Sequence, residues 1–192
     1  MHIPAKVPRS ITFLIAMTVL VGLAYPALVT VIAQLAFPAK ANGSLIVRDG
    51  KVRGSSLLAQ KFEHPGFFHA RPSATDYAYI GSGASNLGPT STDLAKSVAE
   101  RKAGWEASYG APAPAEMLYA SGSGLDPDIG PDVALRQVDR VVIARGLSED
   151  AKSKLAQAIR DMAAASRSLI GPPRVNVASL NVLLETDPRF AK

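Results

Sequence analysis

From Ser10 to Ala39 the chain reads SITFLIAMTVLVGLAYPALVTVIAQLAFPA, without one Asp, Glu, Lys, Arg or His. Arg9 closes this run on one side and Lys40 on the other. A bilayer core is about 30 Å thick, so a spanning helix needs about 20 apolar residues at about 1.5 Å each. The run exceeds that length, which allows tilt without fixing an angle. A secretory signal core is only about 7–15 residues long. The loose cleavage pattern Ala39-Lys40-Ala41 therefore does not displace the reading as a retained membrane anchor.

Within the anchor Thr18, Gly22, Pro26 and Thr30 recur at every fourth position and share one slowly turning face. Small residues let helices approach closely in lipid, so this face is a candidate surface for a partner helix. Pro26 removes a backbone donor and predicts a kink. Gln34, polar near the far end, favours a partner or the interface.

After Lys40 the pattern changes. Leu45–Val47 and Lys51–Val52 flank Asp49-Gly50, which supplies the positive φ angles of a two-residue hairpin turn. Ser55–Phe62 is read as an extension of the second strand, and Phe67-Phe68-His69 as a short strand. The stretch from His64 to Pro89 is rich in Gly, Pro, Ser and Asn, and Ile80–Pro89 is a loop. Thr90 with Asp93 resembles a capping box before a helix from Ser91 to Tyr109, with Leu94, Val98, Ala99 and Trp105 as its stripe. A second loop runs to Pro127. Pro131 suits the first turn of a helix through Ala134, Val138, Val141, Val142 and Arg145, which Gly146 ends. Ser148 caps the next helix, whose buried face is Leu155, Ile159, Met162 and Ala163, with Gly171-Pro172-Pro173 as its stop. Val175–Leu184 is read as a final strand. The part after the anchor is thus a mixed α/β (α+β) domain with a small sheet and about three helices.

Composition narrows the picture. The chain has 192 residues and no cysteine, which excludes disulfides and thiolate metal sites. Beyond the anchor about 150 residues remain, the size of one ordinary domain. The net charge of +5 owes much to Lys6, Arg9 and Lys40, because the first forty positions carry no acid. The remainder is nearly balanced and has no basic run, so nucleic acid is not an expected partner. Lys6 and Arg9 before the anchor face Lys40, Arg48, Lys51 and Arg53 after it. Taken alone this count leans against a cytoplasmic N-terminus, but long domains translocate regardless of flanking charge, so orientation stays open.

Three chemistries could draw on these residues. Ser121-Gly122-Ser123-Gly124-Leu125-Asp126 places two serines near a carboxylate, as a membrane-tethered hydrolase would. The domain offers only His64 and His69 as bases, and the Gly-x-Ser-x-Gly elbow is present only in broken form. Neither Gly-rich loop ends in Gly-Lys-Ser/Thr, so no P-loop is present. Asp126, Asp128 and Asp132 lack calcium-loop spacing. The residues return no catalytic or metal site.

The order of short motifs says more. Tyr25-Pro26, Ala41-Asn42-Gly43-Ser44-Leu45, Arg53-Gly54-Ser55 with Leu57 and Gln60, and Phe68-His69-x-Arg71-Pro72-Ser73-Ala74 come first. Ser85-Asn86-Leu87, Ala120-Ser121, Ser123-Gly124-Leu125-Asp126, Gln137, Arg140-Val141, Val175-Asn176 and Leu180-Asn181 follow. Together they resemble the C subunit of the Kdp potassium-transporting ATPase, a bacterial P-type pump complex, over essentially the whole chain. Two departures are Ala59 where the family pattern has glycine, and Gly130 where a serine or threonine is usual.

The resemblance implies a non-catalytic accessory subunit. Its partners would be a potassium-channel-like subunit and the ATP-hydrolysing subunit, with membrane lipid around the anchor. ATP and potassium would be handled by the complex, with no cofactor bound by this chain itself. It further implies residues 1–9 in the cytoplasm, 10–39 as the transmembrane helix in the bacterial inner membrane, and 40–192 as a periplasmic domain. The expected role is assembly and stabilisation of the complex and action where potassium enters. The alternative implied role is that of a catalytic chaperone raising the ATP affinity of the hydrolytic subunit. ATP is cytoplasmic and few residues precede the anchor, so assembly is favoured. Arg71, Pro72 and Ser73, Asn86, and Ser121 with Ser123, Gly124, Leu125 and Asp126 join the anchor face as the expected docking residues. Long loops held by a scaffold commonly carry function. Arg71 and Asp126 could instead pair with each other and tie the loops together.

Overall fold

A computed structural model of the chain describes residues 6–48, 50–167 and 171–190. Its contacts divide into two compact units, residues 1–45 and 46–192.

The first unit is a helix in three parts: α1 (Lys6–Val19), a π turn (Leu20–Ala24) and α2 (Tyr25–Ala36). Pro8–Ala36, 29 residues, is long and apolar enough to cross a membrane, and none of its most apolar window is buried. The π turn explains how the helix accommodates Pro26. A proline ring clashes with the carbonyl four residues back. Here Tyr25 N–H donates to the Leu20 carbonyl, five residues back, and the wider turn makes room just ahead of the ring. At Phe37 the backbone leaves the helical region (φ −139, ψ 53), as a residue before proline tends to. One further helical turn, α3 (Pro38–Ala41), follows. The Gln34 and Asn42 side-chain amides bond each other, Asn42 Nδ2 donating to Gln34 Oε1 at 3.0 Å. Gln34 thus has a partner within its own unit.

The hairpin pairs β1 (Leu45–Arg48) with β2 (Lys51–Ser55). Gly50 has the positive φ (+70) that the turn requires, while Asp49 lies outside the described residues. The second strand stops at Ser55 and does not continue to Phe62, because a turn at Ser56–Leu58 ends the pairing.

The second unit is built on helices. In order come α4 (Thr92–Tyr109), α5 (Ala115–Leu118), β3 (Asp128–Ile129), α6 (Pro131–Arg145), α7 (Glu149–Ala165), β4 (Val175–Asn176) and α8 (Val177–Thr186). The strands β3 and β4 pair antiparallel, with Asp128 opposite Asn176 and Ile129 opposite Val175. α6 packs against α7, and α4 also packs against α6. Phe68, Ile129, Val141, Leu155, Ile159, Leu180, Leu184 and Phe190 are fully buried and form one core. Each such side chain contributes roughly 1.5–3 kcal/mol of burial.

The expected starts of α6 and α7 and the end of α6 hold, while Met162 of the expected α7 face is only partly buried. Pro131 occupies the first turn of α6, and Gly146 closes it at φ +56. The Ser148 hydroxyl accepts from Ala151 N–H and caps α7, whose buried residues include Leu155, Ile159 and Ala163. α4 starts as expected in place, but its cap is Ser91, which accepts from Leu94 N–H, not Thr90. Only Trp105 of its stripe is buried. α7 ends at Ala165, ahead of Gly171-Pro172-Pro173, with Ser166 as its cap.

Two strands expected from the sequence are not strands. Val175–Leu184 contributes only Val175 and Asn176 to β4. From Val177 on it is α8, capped by the Asn176 side chain on Ser179 N–H. Its buried positions Val177, Leu180, Asn181 and Leu184 follow helical spacing, and burial at that spacing overrode the β-branched residues at the start. Phe67-Phe68-His69 is extended but joins no sheet. Its neighbours are two side-chain amides. Phe68 N–H donates to Asn181 Oδ1 at 2.8 Å, and Asn181 Nδ2 donates back to Phe68 O at 3.0 Å. Gln137 does the same for His69, at 2.8 and 3.0 Å. Asn181 on α8 and Gln137 on α6 therefore satisfy the groups a neighbouring strand would have satisfied.

Candidate docking site

On the anchor, Thr18, Gly22, Pro26 and Thr30 are all exposed. A Cβ at Gly22 would meet only Thr18 Cγ2, at 3.8 Å, so the groove beside it is open. The π turn favours this face. A row of every fourth residue drifts around an α-helix, and the wider turn in its middle offsets part of that drift.

In the second unit the chain brings three loops together. Pro72 O accepts from Ser121 N–H at 2.9 Å, and Arg71 Nη1 donates to Asp126 Oδ2 at 3.1 Å. Ser123 O accepts from Gly83 N–H at 2.8 Å and from Ser82 Oγ at 3.0 Å. Leu125 O accepts from Ala59 N–H at 2.9 Å. Within the loops, Ser73 Oγ accepts from the N–H groups of Thr75 and Tyr77, and Tyr77 Oη donates to Arg71 O at 2.9 Å. Ser123 Oγ accepts from Leu125 N–H, and Asp126 Oδ1 from Asp128 N–H. Such local side-chain bonds hold backbone that has neither helix nor sheet to satisfy it. Asp76 (φ +50) and Tyr77 (φ +60) are held in the left-handed region by this network.

Arg71, Pro72, Ser73, Ser121, Ser123, Gly124, Leu125 and Asp126 thus form one knot. Asn86, at φ +53 and exposed, stands outside it. The Arg71–Asp126 pair does tie the loops together. Its side chains are 23% and 32% exposed, so the pair contributes on the order of 1 kcal/mol rather than the larger value of a buried bridge. Ser121 is buried, and its N–H is committed to Pro72. The three clustered acids go separate ways: Asp126 in the loop to Arg71, Asp128 of β3 to the Asn176 amide, and Asp132 in the first turn of α6 to an exposed position.

Two arginines of α6 fasten the preceding loop. Arg140 donates to Phe67 O at 2.8 Å and to Tyr109 Oη at 2.8 Å, and Arg145 donates to Gly66 O at 2.6 Å and Leu184 O at 3.0 Å. The Arg140–Tyr109 bond joins α4 to the same assembly, and within α4 Tyr109 stacks on Trp105, ring centroids 3.9 Å apart. Burial of the His69 ring, and then the nearby Arg140 charge, push its pKa down to about 4, so it stays neutral at physiological pH. Sequence reasoning named Gln137, Arg140 and Asn181 without giving them a role. The signal was a polar residue on an otherwise apolar helix stripe.

One apolar helix fit to span a bilayer, followed by an α/β unit whose loops knot into a fixed surface, defines a class of membrane-anchored chain. A model of the family described as K+-transporting ATPase, c chain, matches residues 7–186. The potassium-transporting ATPase KdpC subunit of Cereibacter sphaeroides (strain ATCC 17029 / ATH 2.4.9) is 47% identical, with 90% of this chain and 92% of the relative covered. The KdpC subunit of Pseudomonas entomophila (strain L48) is 46% identical, covering 94% of this chain and 95% of the relative. That of Methylorubrum extorquens is 44% identical, with 91% and 94% covered. The chain belongs to the KdpC family of potassium-transporting ATPase subunits.

Proposed function

We propose that this chain is a non-catalytic accessory subunit of an ATP-driven potassium uptake complex. It promotes assembly and stability of the complex and acts on the side from which potassium enters. The observation that carries the reading is the family match across residues 7–186, anchor and knotted unit alike. In this reading the anchor face at Thr18, Gly22, Pro26 and Thr30 packs on a membrane helix of a partner. The knot from Arg71 to Asp126, with Asn86 beside it, meets the potassium-conducting or the ATP-hydrolysing subunit outside the bilayer.

The orientation belongs to the same proposal: N-terminus in the cytoplasm, residues 41–192 outside the inner membrane. Protease added outside spheroplasts should digest that segment, and full protection would reject this topology. The anchor face is tested by recovery of the complex from native membrane. Gly22→Leu should lower recovery severalfold, since bulk at an open groove separates packed helices, while Leu20→Ala should leave recovery nearly intact. Equal recovery for the two variants would mean that the face meets only lipid. A preparation lacking this chain entirely should yield little intact complex, and undiminished yield would overturn the accessory role.

A further inference from the structure

Within the Arg53-Gly54-Ser55…Gln60 motif the Gln60 side chain bonds Arg53 rather than the knot, and with Gly54 it shapes a separate cleft. A Cβ on Gly54 would overlap Gln60 Nε2, so the Gln60 amide lies directly on the glycine. It is fixed there by donating to Arg53 O at 2.9 Å. The amide forms one wall of a cleft of about 430 Å³. Phe62 and Phe67, with ring centroids 5.5 Å apart, and Val182 of α8 give it an apolar floor. Two cations and one anion line it. Arg48 pairs with Glu185 and also donates to the Glu185 carbonyl at 3.0 Å, so that carboxylate is neutralised. Arg53 makes no ion pair among the described residues and is exposed. The lining is therefore net positive, above an apolar floor.

We propose that this cleft receives a loop of a partner subunit, an apolar side chain seated on Phe62 and Phe67 and an adjacent carboxylate bonded to Arg53. The proposal rests on the accessory-subunit reading and adds a second contact outside the knot. Charge complementarity selects the carboxylate. An apolar centre rimmed by an arginine is the pattern of protein interfaces. The volume lies within the range of binding clefts.

The test uses the full chain in its native membrane. The photo-cross-linker p-benzoylphenylalanine replaces Val182, and irradiation should join this chain to a larger subunit at a segment bearing Asp or Glu beside an apolar residue. Combining it with Arg53→Glu should cut that cross-link at least fivefold. Arg53→Glu alone, at an exposed position where folding is not at stake, should lower recovery of the complex severalfold. A cross-link only to lipid or to a second copy, no cross-link at all, or full recovery with Arg53→Glu would each overturn the proposal. A rise in melting temperature with citrate that Arg53→Glu abolishes, without any effect on recovery, would assign the cleft to a small anion and overturn it equally. Complexes that require this chain yet tolerate Arg53→Glu would sink the cleft alone. Complexes that assemble without the chain would sink the accessory role beneath it.

Discussion

Asn181→Leu should cost about 4 kcal/mol of stability, and Gln137→Leu about half as much, although each replaces one amide by a leucine of similar volume. Both amides are buried, and each exchanges two bonds with the backbone of the extended segment. The difference lies in what is left behind. Phe68 is fully buried, so its N–H and carbonyl would lose the partner they have among the described residues where water cannot follow; each orphan costs about 1–3 kcal/mol. His69 is only half-buried, and water can replace part of what Gln137 supplied. Urea melts of the detergent-solubilised chain, followed by circular dichroism, read this directly. A domain of ordinary stability has about 5–15 kcal/mol in total, so the Asn181 variant should unfold at markedly lower urea. Equal losses for the two variants would mean that burial of the segment, not amide pairing, is what matters.

The same two amides mark where the fold was legible in the sequence and where it was not. The anchor, α6 and α7 could be read because their signals are local: an uncharged run, a proline at a helix start, glycine at a helix end, serine at a cap. The hairpin turn was legible for the same reason, and Gly50 has the φ it needs. What failed was non-local. Phe67-Phe68-His69 has the composition of a strand, but its hydrogen-bond partners lie on α6 and α8, far along the chain. Val175–Leu184 begins with branched residues that favour strands, yet its burial runs at helical spacing, and the core decided the outcome. Of the candidate site, the two loops could be singled out as unusual, and the pairing of Arg71 with Asp126 was foreseen as one of two readings. The 80–89 stretch reads as a loop, but its attachment to the other two does not, because nothing local in a Gly-Ser loop specifies that Ser82 and Gly83 will bond Ser123. The cleft above Phe62 and Phe67 was equally hidden, since its lining comes from the hairpin, a loop and α8.

Gly124→Ala should be the most damaging single change within the knot, costing about 3 kcal/mol, whereas Gly122→Ala two residues away should stay within about 0.5 kcal/mol. Gly124 sits at φ +69, where a side chain is strained by about 1–2 kcal/mol. Its Cβ would also lie 2.8 Å from the Gly83 carbonyl oxygen and 2.5 Å from Thr75 Oγ1. The threonine hydroxyl can rotate away, but the Gly83 contact is backbone and must move as a unit. Moving it stretches the bonds that Gly83 N–H and Ser82 Oγ make to Ser123 O, so the loop around residue 83 is released from the loop around residue 123. Gly122 meets nothing within 4 Å and has no positive φ, so alanine is accommodated there. Release should be visible as well as costly. Limited proteolysis should cut the Gly124→Ala chain between Tyr79 and Leu87 many times faster than the parent, because cleavage follows the population of the opened loop. Unchanged proteolysis with a lowered melting temperature would mean that the strain at residue 124 is absorbed within its own turn and that the three loops stay joined.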